Sequence, residues 1–314
     1  MPKIVTVTLN PAVDKSCSVE QVVAERKLRC GQPTFHPGGG GINVARAVAE
    51  LGGEVATYWP CGGAIGELLR QLLDEEGVEH YPIKIRAMTR ENLIVFEQSS
   101  EQQFRFGLPG ATLTDEEVQL VLDILLADDP SPEYLVLSGS LPPDVDENLY
   151  AQIAKAMPAS CRVILDTSGW PLRLGLQSPL FLIKPNMHEL EQLAGRTIAD
   201  DPQIRGVARS LIEEGKVQVV VTSLGSGGAV LTTADEHQQI RSPTVKIRSK
   251  VGAGDSMVAG IVFALSKGKP LVESVRYGVA AGAAAVMTEG TELCRRTDTE
   301  RLYREMTNST THEA

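Results

Sequence analysis

Ile42-Asn43-Val44-Ala45-Arg46-Ala47-Val48-Ala49-Glu50-Leu51, followed by Gly52-Gly53, decides the fold. Ile42, Ala45 and Ala49 fall on one face at helical spacing and the glycine pair is a stop signal, so residues 42–51 read as a helix. On either side, 4–9 and 55–59 are short apolar runs suited to strands buried on both faces. Similar runs recur at 134–138, 163–166, 181–183 and 217–222, with helical stretches between most of them. This alternation predicts an α/β fold built on a doubly wound, mainly parallel sheet. The uncharged stretch 217–234 contains Gln218, Thr222, Ser223 and four polar or glycine positions at 225–228, and reads as strand, turn, strand rather than a membrane span.

Two segments break the rhythm. Residues 92–96 and 103–106 are β-prone runs around the polar turn 98–102, a hairpin pattern; residues 12–36 lack a convincing helix and carry Lys27 and Arg29. Together they read as a small β-rich lid, 12–36 and 88–110, interrupting an α/β domain made of 1–11, 37–87 and 111–314.

A chain of 314 residues with 42% hydrophobic and 22% charged residues can bury one large core. Its formal charge of -10 argues against a nucleic-acid partner, so any phosphate must be held by a few local cations. The cysteines at 17, 30, 61, 161 and 294 are odd in number and form no C-x-x-C pair, which points away from disulfides or zinc and toward a reducing, cytoplasmic compartment. The strand-like run 4–9 stands where a signal sequence's charged segment and apolar core would be. The sequon within Thr307-Asn308-Ser309-Thr310 reads as a frayed polar tail.

The strongest chemical signal is Val251-Gly252-Ala253-Gly254-Asp255-Ser256 before the helical run 257–265. Glycines at a helix start let backbone N–H groups converge on an anion, and a carboxylate there can take a proton from an attacking hydroxyl. The same residues also read as a glycine turn with Asp as a cap. Pro37-Gly38-Gly39-Gly40-Gly41 likewise precedes a helix, where the backbone can approach a polar ligand and Asn43 can hydrogen-bond its hydroxyls. Neither G-x-G-x-x-G nor G-x-x-x-x-G-K-[ST] occurs, which weighs against dinucleotide and P-loop sites. Lys184-Pro185-Asn186-Met187-His188-Glu189 sets Asn186 and Glu189 three apart, either facing a magnesium ion through water or forming a helix capping box. Ser223 to Gly228 is a turn able to lie along a nucleotide, or an ordinary hairpin.

In this order the motifs resemble the ribokinase-like sugar kinases over essentially the whole chain. Thr8-Leu9-Asn10-Pro11-Ala12-Val13-Asp14, Lys27-Leu28-Arg29-Cys30, Thr89-Arg90, Leu137-Ser138-Gly139-Ser140-Leu141-Pro142-Pro143 and Gly290-Thr291-Glu292-Leu293-Cys294 resemble the phosphofructokinase branch, above all its type-2 bacterial members. The resemblance implies a ribokinase-like fold with a small β-sheet lid, a homodimer formed through that lid, an ATP-promoted tetramer, inhibition by a second ATP, and no membrane partner. It implies phosphorylation of fructose 6-phosphate at its 1-hydroxyl, with fructose 1-phosphate or tagatose 6-phosphate as alternative substrates and a non-catalytic sugar-phosphate sensor as a remote one. By the same resemblance Asp14, Gly39 and Asn43 hold sugar hydroxyls, and Lys27, Arg29, Arg90 and Ser138 meet the sugar phosphate. Lys184, Asn186 and Glu189 organise Mg-ATP, Ser223, Gly225 and Gly228 lie along the nucleotide, and Val279 and Gly282 line the adenine side. Asp255 acts as base, with the amides of Ala253, Gly254 and Asp255 after Gly252 stabilising developing charge. Ser249 and Val251 are implied near the nucleotide as well. A potassium site near Ser249, Val251 and Gly290 is the expectation that Lys250 calls into question, since members of the family often have Asp-Thr or Ser-Thr where this chain has Ser249-Lys250.

Overall fold

The structure is a computed structural model and describes residues 3–127 and 131–311. Among these the strands are β1 Ile4–Val7, β2 Ala12–Val19, β3 Thr34–Gly38, β4 Val55–Cys61, β5 Glu79–Lys84, β6 Arg90–Glu97, β7 Gln102–Gly107, β8 Tyr134–Ser138, β9 Arg162–Asp166, β10 Leu180–Ile183, β11 Val217–Ser223, β12 Ala229–Thr232 and β13 His237–Ile240. The helices are α1 Gly40–Glu50, α2 Gly63–Glu75, α3 Asp115–Leu126, α4 Leu149–Ala156, α5 Gly169–Gly175, α6 Met187–Ala194, α7 Asp201–Glu213, α8 Ala253–Ser266, α9 Leu271–Ala285 and α10 Arg296–Thr311.

Nine strands form one sheet in the order β13-β12-β11-β10-β9-β8-β1-β4-β5. From β11 to β5 every pairing is parallel, and β12 and β13 extend the sheet antiparallel. Alternate residues of the central strands feed two cores. Ile4, Tyr134, Val136 and Ile164 join the cluster with α1, α8 and α9, whereas Val5, Val7, Leu135 and Leu165 join the one beneath α4 and α5. That two-sided burial is why these strands read as unbroken apolar runs; each fully buried Leu or Val contributes about 1.5–3 kcal/mol. The chain leaves β1 toward β4 on one side and returns through β8 on the other. This reversal is the place where open α/β sheets form a crevice beyond their carboxyl ends.

A second sheet has the order β3-β2-β6-β7, with β2 and β6 parallel and both outer pairs antiparallel. The hairpin read at 92–106 is β6 and β7, in register Leu93 to Phe106. Residues 20–33 form a loop between β2 and β3, tied back by the Gly31 N–H donating to the Ser18 carbonyl at 2.9 Å.

The edge strands β5 and β13 escape the sequence pattern. One contains Pro82 and is largely exposed, and the other is His-Gln-Gln-Ile, so neither presents an apolar run. The C-terminal run read as a frayed tail lies instead in α10, which is anchored by the buried Leu302 and by Tyr303 donating to Glu273 at 2.6 Å. Among the described residues no helix is long and apolar enough to cross a membrane.

Candidate active site

The first helix of the α/β unit starts against the end of β1. Gly39 caps α1 with φ 114°, a conformation that favours glycine, and a Cβ at Gly41 would stand 2.5 Å from the Val7 carbonyl oxygen. The Ile42 N–H donates to the Thr8 hydroxyl at 2.6 Å, so Thr8, not a conventional cap, satisfies one open helix donor. This brings Asn43, in the first turn, to the carboxyl edge of the sheet.

The second glycine motif opens α8. Gly252, at φ 69°, caps it, and Asp255 lies in its first turn. The Asn43 amide donates to Asp255 Oδ2 at 2.8 Å, joining the two motifs across 212 residues of sequence. Burial pushes the Asp255 carboxyl up to about 6, the nearby Asp166 charge adds to this, and the Asn43 hydrogen bond and Lys184 oppose it. Lys184, just after β10, pairs with Asp166 at the end of β9, Nζ to Oδ1 at 3.1 Å. A Cβ at Gly254 would stand 3.5 Å from the same ammonium nitrogen, so Lys184 lies beneath the α8 amino end. One carboxylate poised near neutrality, one charged lysine and a row of unpaired helix amides are what a proton-accepting, anion-stabilising centre requires.

Asn186 and Glu189 form a complete capping box: the Asn186 side chain accepts from the Glu189 N–H at 2.9 Å, and Glu189 Oε2 accepts from the Asn186 N–H at 2.8 Å. The helix-cap reading is thus realised, and Glu189 retains one carboxylate oxygen outside it. Burial raises the Glu189 carboxyl, opposed by the Asn186 amide and Lys184. The Ser223 N–H donates to the Pro185 carbonyl at 2.9 Å, bringing Asn186 and Ser223 side by side. The turn 223–228 is a hairpin with a short 3-10 segment at Gly225–Gly227, and it also walls a cavity of about 460 Å³. Ser223, Gly225, Gly228, Gly254, Val279 and Gly282 all face this cavity. Val245 and Ile247, in the unpaired segment after β13, close it with apolar surface that no motif announced. Ser249 is buried; its hydroxyl donates to the Gly290 carbonyl at 2.7 Å and accepts from the Val251 N–H at 3.2 Å, so these three residues do meet.

On the small sheet, Asp14 Oδ1 accepts from the Asn92 amide at 2.8 Å, and burial raises its carboxyl. Arg90 donates to the carbonyls of Leu108 and Asn10, each at 3.1 Å, and burial lowers its guanidinium from the ordinary value. Ser138 is buried at the end of β8, beneath Gly40. Asn43 thus bonds to Asp255, the Asp14 charge reaches it, Arg90 acts on Asp14, and Ser138 lies under the start of α1 just after Gly39, while Ala253 and Gly254, directly before Asp255, line the cavity. Lys27 and Arg29 stand apart: both are exposed on the loop 20–33, without a hydrogen bond or ion pair to Asp14, Arg90 or Ser138. Asp166 and Asn92 belong to no motif, and the one sign of Asp166 in the sequence is a carboxylate closing an otherwise apolar strand, whereas Thr8 stands in a quoted motif but with no role attached to it.

Among the described residues no group of three or more His, Cys, Asp or Glu side chains is arranged to hold a metal ion. A carboxylate at a glycine-opened helix, beside a cavity of about 460 Å³ and within reach of polar residues of the small sheet, suits transfer of a phosphoryl group to an alcohol. Residues 4–298 match the family described as pfkB family carbohydrate kinase. The chain is 44% identical to the ATP-dependent 6-phosphofructokinase isozyme 2 of Mycobacterium tuberculosis, covering 96% of this chain and 89% of that protein. It is 42% identical to the corresponding isozyme of Escherichia coli, covering 96% and 98%. The crystal structure of phosphofructokinase-2 from Escherichia coli in complex with potassium superimposes with a TM-score of 0.94 at 40% identity, covering 98% of this chain and all of that one. This chain belongs to the pfkB family of carbohydrate kinases.

Proposed function

We propose that this kinase transfers the γ-phosphoryl group of Mg-ATP to the 1-hydroxyl of fructose 6-phosphate, giving fructose 1,6-bisphosphate and ADP. The carrying observation is Asp255: a carboxyl raised to about 6 at the amino end of α8, hydrogen-bonded to Asn43, within reach of the Asp14 charge and directly after two residues that line the cavity. Asp14, Gly39 and Asn43 hold the sugar hydroxyls; the second N–H of the Asn43 amide remains available for this. Arg90 and Ser138, with Lys27 and Arg29 carried in on their loop, meet the sugar phosphate. The nucleotide lies along Ser223, Gly225 and Gly228 with its base toward Val279 and Gly282. Asp255 takes the proton of the 1-hydroxyl as its oxygen bonds to the γ-phosphorus, and the bond to the bridging oxygen breaks. The amides of Ala253, Gly254 and Asp255 and the Lys184 ammonium stabilise the charge that develops.

Magnesium, carried in on the nucleotide, supplies neutralisation of phosphate charge. The Glu189 oxygen outside the capping box suits it through water, with Asn186 holding that helix end in place. The potassium site fits less well. Ser249, Val251 and Gly290 bond to one another, and the exposed Lys250 lines the nucleotide cavity without an ion-pair partner among the described residues. Lys250 puts positive charge beside that cavity, which supports a weak dependence on potassium.

One assay tests these readings: ADP release with fructose 6-phosphate, fructose 1-phosphate, tagatose 6-phosphate and unphosphorylated fructose at one low concentration, in potassium and in tetramethylammonium salts. Preference for fructose 6-phosphate with little difference between salts is expected. Preference for another sugar phosphate moves the phosphate pocket, no turnover with any revives the sensor reading, and a strong potassium requirement removes the role given to Lys250.

The free thiols at 17, 30, 61, 161 and 294 support a reducing, cytoplasmic setting. The small sheet exposes Leu93 and Phe106 as a cross-strand pair, with Phe96 and Leu108 nearby, which supports a homodimer through this surface. Sedimentation without nucleotide is expected to show a dimer, and rising Mg-ATP a tetramer with lower turnover. A monomer under both conditions removes both assemblies.

A further inference from the structure

Asn43 has a pseudo-symmetric amide, and which end faces Asp255 decides whether that contact attracts or repels. A flipped amide would set its oxygen against the carboxylate. Nothing in Asn43 itself chooses between the two orientations.

The choice is made one turn further along α1. Arg46 lies three residues on, with its side chain only 8% exposed, although its place in an otherwise small and apolar helix gives no hint of a buried charge. Its Nε and Nη2 fork onto Glu76 Oε2 and Oε1 at 2.6 and 2.7 Å, and Nη1 donates to the Pro37 carbonyl at 3.0 Å. Glu76 is the C-terminal cap of α2 and Pro37 lies on β3, so the guanidinium is held from two elements outside its own helix. Nη1 also reaches Asn43 Oδ1 at 3.4 Å. That contact is long, and its importance is directional: guanidinium has donors and no acceptor, so only the amide oxygen can face it. The amide N–H groups are thereby turned toward Asp255. A flip would replace two favourable contacts by two repulsive ones, an N–H against the guanidinium and an oxygen against the carboxylate.

We propose that Arg46, pinned by Glu76, is a positioning residue that fixes the Asn43 amide so that it donates to Asp255. The catalytic consequence rests on the reading of Asp255 as the base; the hydrogen-bond chain does not. The other charged groups facing Asp255 are Asp166 from β9, Lys184 from the turn after β10 and Asp14 from β2; those around Arg46 are Glu76, His36 and Asp14. Removing the Arg46 charge also takes away a charge that lowers the Asp14 carboxyl and the His36 imidazole, and Asp14 in turn raises Asp255. Only the route through Asn43 disappears when Asn43 is already gone, so a variant changed at both positions separates the two.

The direct test is a ¹³C titration of the Asp255 carboxyl in ligand-free protein, the signal being assigned by its loss in Asp255→Asn. Arg46→Met is expected to raise the titration midpoint by about half a pH unit or more, the effect of weakening one hydrogen bond to the ionised carboxylate. Asn43→Ala should raise it similarly, and the double variant no further, because Arg46 acts through Asn43. An unchanged midpoint in Arg46→Met, or a shift that adds to that of Asn43→Ala, overturns the proposal. If Arg46→Met does not fold, Glu76→Gln decides it: a smaller upward shift supports the pinning, and no shift overturns it. Kinetics separate the two readings. If the carboxyl midpoint moves and the acid limb of kcat/KM moves with it, both stand; if the carboxyl moves and the limb does not, the positioning stands and the base assignment falls.

Discussion

Asp255→Asn is expected to lower kcat by about 10²–10⁴-fold, the usual contribution of a positioned base, with little change in the apparent affinity for Mg-ATP. Asparagine keeps the side chain's volume and can still bond to Asn43, but it cannot take the hydroxyl proton. In the wild type, kcat/KM should fall as pH drops below about 6, where the carboxyl becomes protonated; in the variant that limb should vanish. The same shift makes a stability prediction of opposite sign. The carboxyl titrates near 6 in the folded chain against an ordinary 3.8, so the folded state holds the proton more tightly. Its stabilising contribution is complete below about pH 3.8 and is lost as pH rises through about 6. At pH 8 the ionised, half-buried carboxylate therefore costs stability, on the order of 1–2 kcal/mol after solvent screening, and Asp255→Asn should melt higher than wild type. Below pH 4 the difference should close. Near-wild-type turnover in the variant would remove Asp255 as base, and equal melting temperatures at pH 8 would show its carboxylate to be well solvated.

The parts of this molecule that sequence reveals are those whose cause is local. The helix at 42–51 and the central strands are written as periodicity and apolar runs because each is decided by its own residues meeting one or two cores. The capping box at Asn186 and Glu189 is legible for the same reason, as a three-residue spacing. Edge strands such as β13 are not, since their hydrogen bonds come from a neighbour while their side chains face water. At the site, both glycine motifs stand out, but the bond joining them spans 212 residues and has no local sign. Asp166 and Arg46 are harder still. Each looks like a solvated charge at the end of a strand or on a helix face, and each is buried only because a partner, Lys184 or Glu76, arrives from 18 or 30 residues away. Lys27 and Arg29 are the converse case: named through resemblance, they lie on an exposed loop and owe any role to ligand binding.

Lys184→Met should separate how this site is held from how it works. The lysine is 7% exposed and its Asp166 partner 13%, at 3.1 Å. Burial alone would pull the ammonium down, but the Asp166 charge and hydrogen bond, with Glu189 and Asp255, hold it above the ordinary lysine value. A folded value raised in this way contributes stability throughout the neutral range and loses it only as pH rises past that of an exposed lysine. Methionine fills the space yet strands Asp166 beside Asp255 and Glu189, which should cost about 3–5 kcal/mol and lower the melting temperature by roughly 10 °C. The Asp255 midpoint should rise as well, since Lys184 is one of the charges opposing its shift, so residual activity should need a higher pH. Adding Asp166→Asn removes the stranded charge and should restore most of the stability. Turnover should stay low in that double variant, with a raised KM for Mg-ATP, because the cation beneath the α8 amino end is still missing. Recovery of both stability and turnover would mean that Lys184 serves only to neutralise Asp166; recovery of stability alone would leave the ammonium as a phosphate-stabilising group that the fold keeps charged through Asp166.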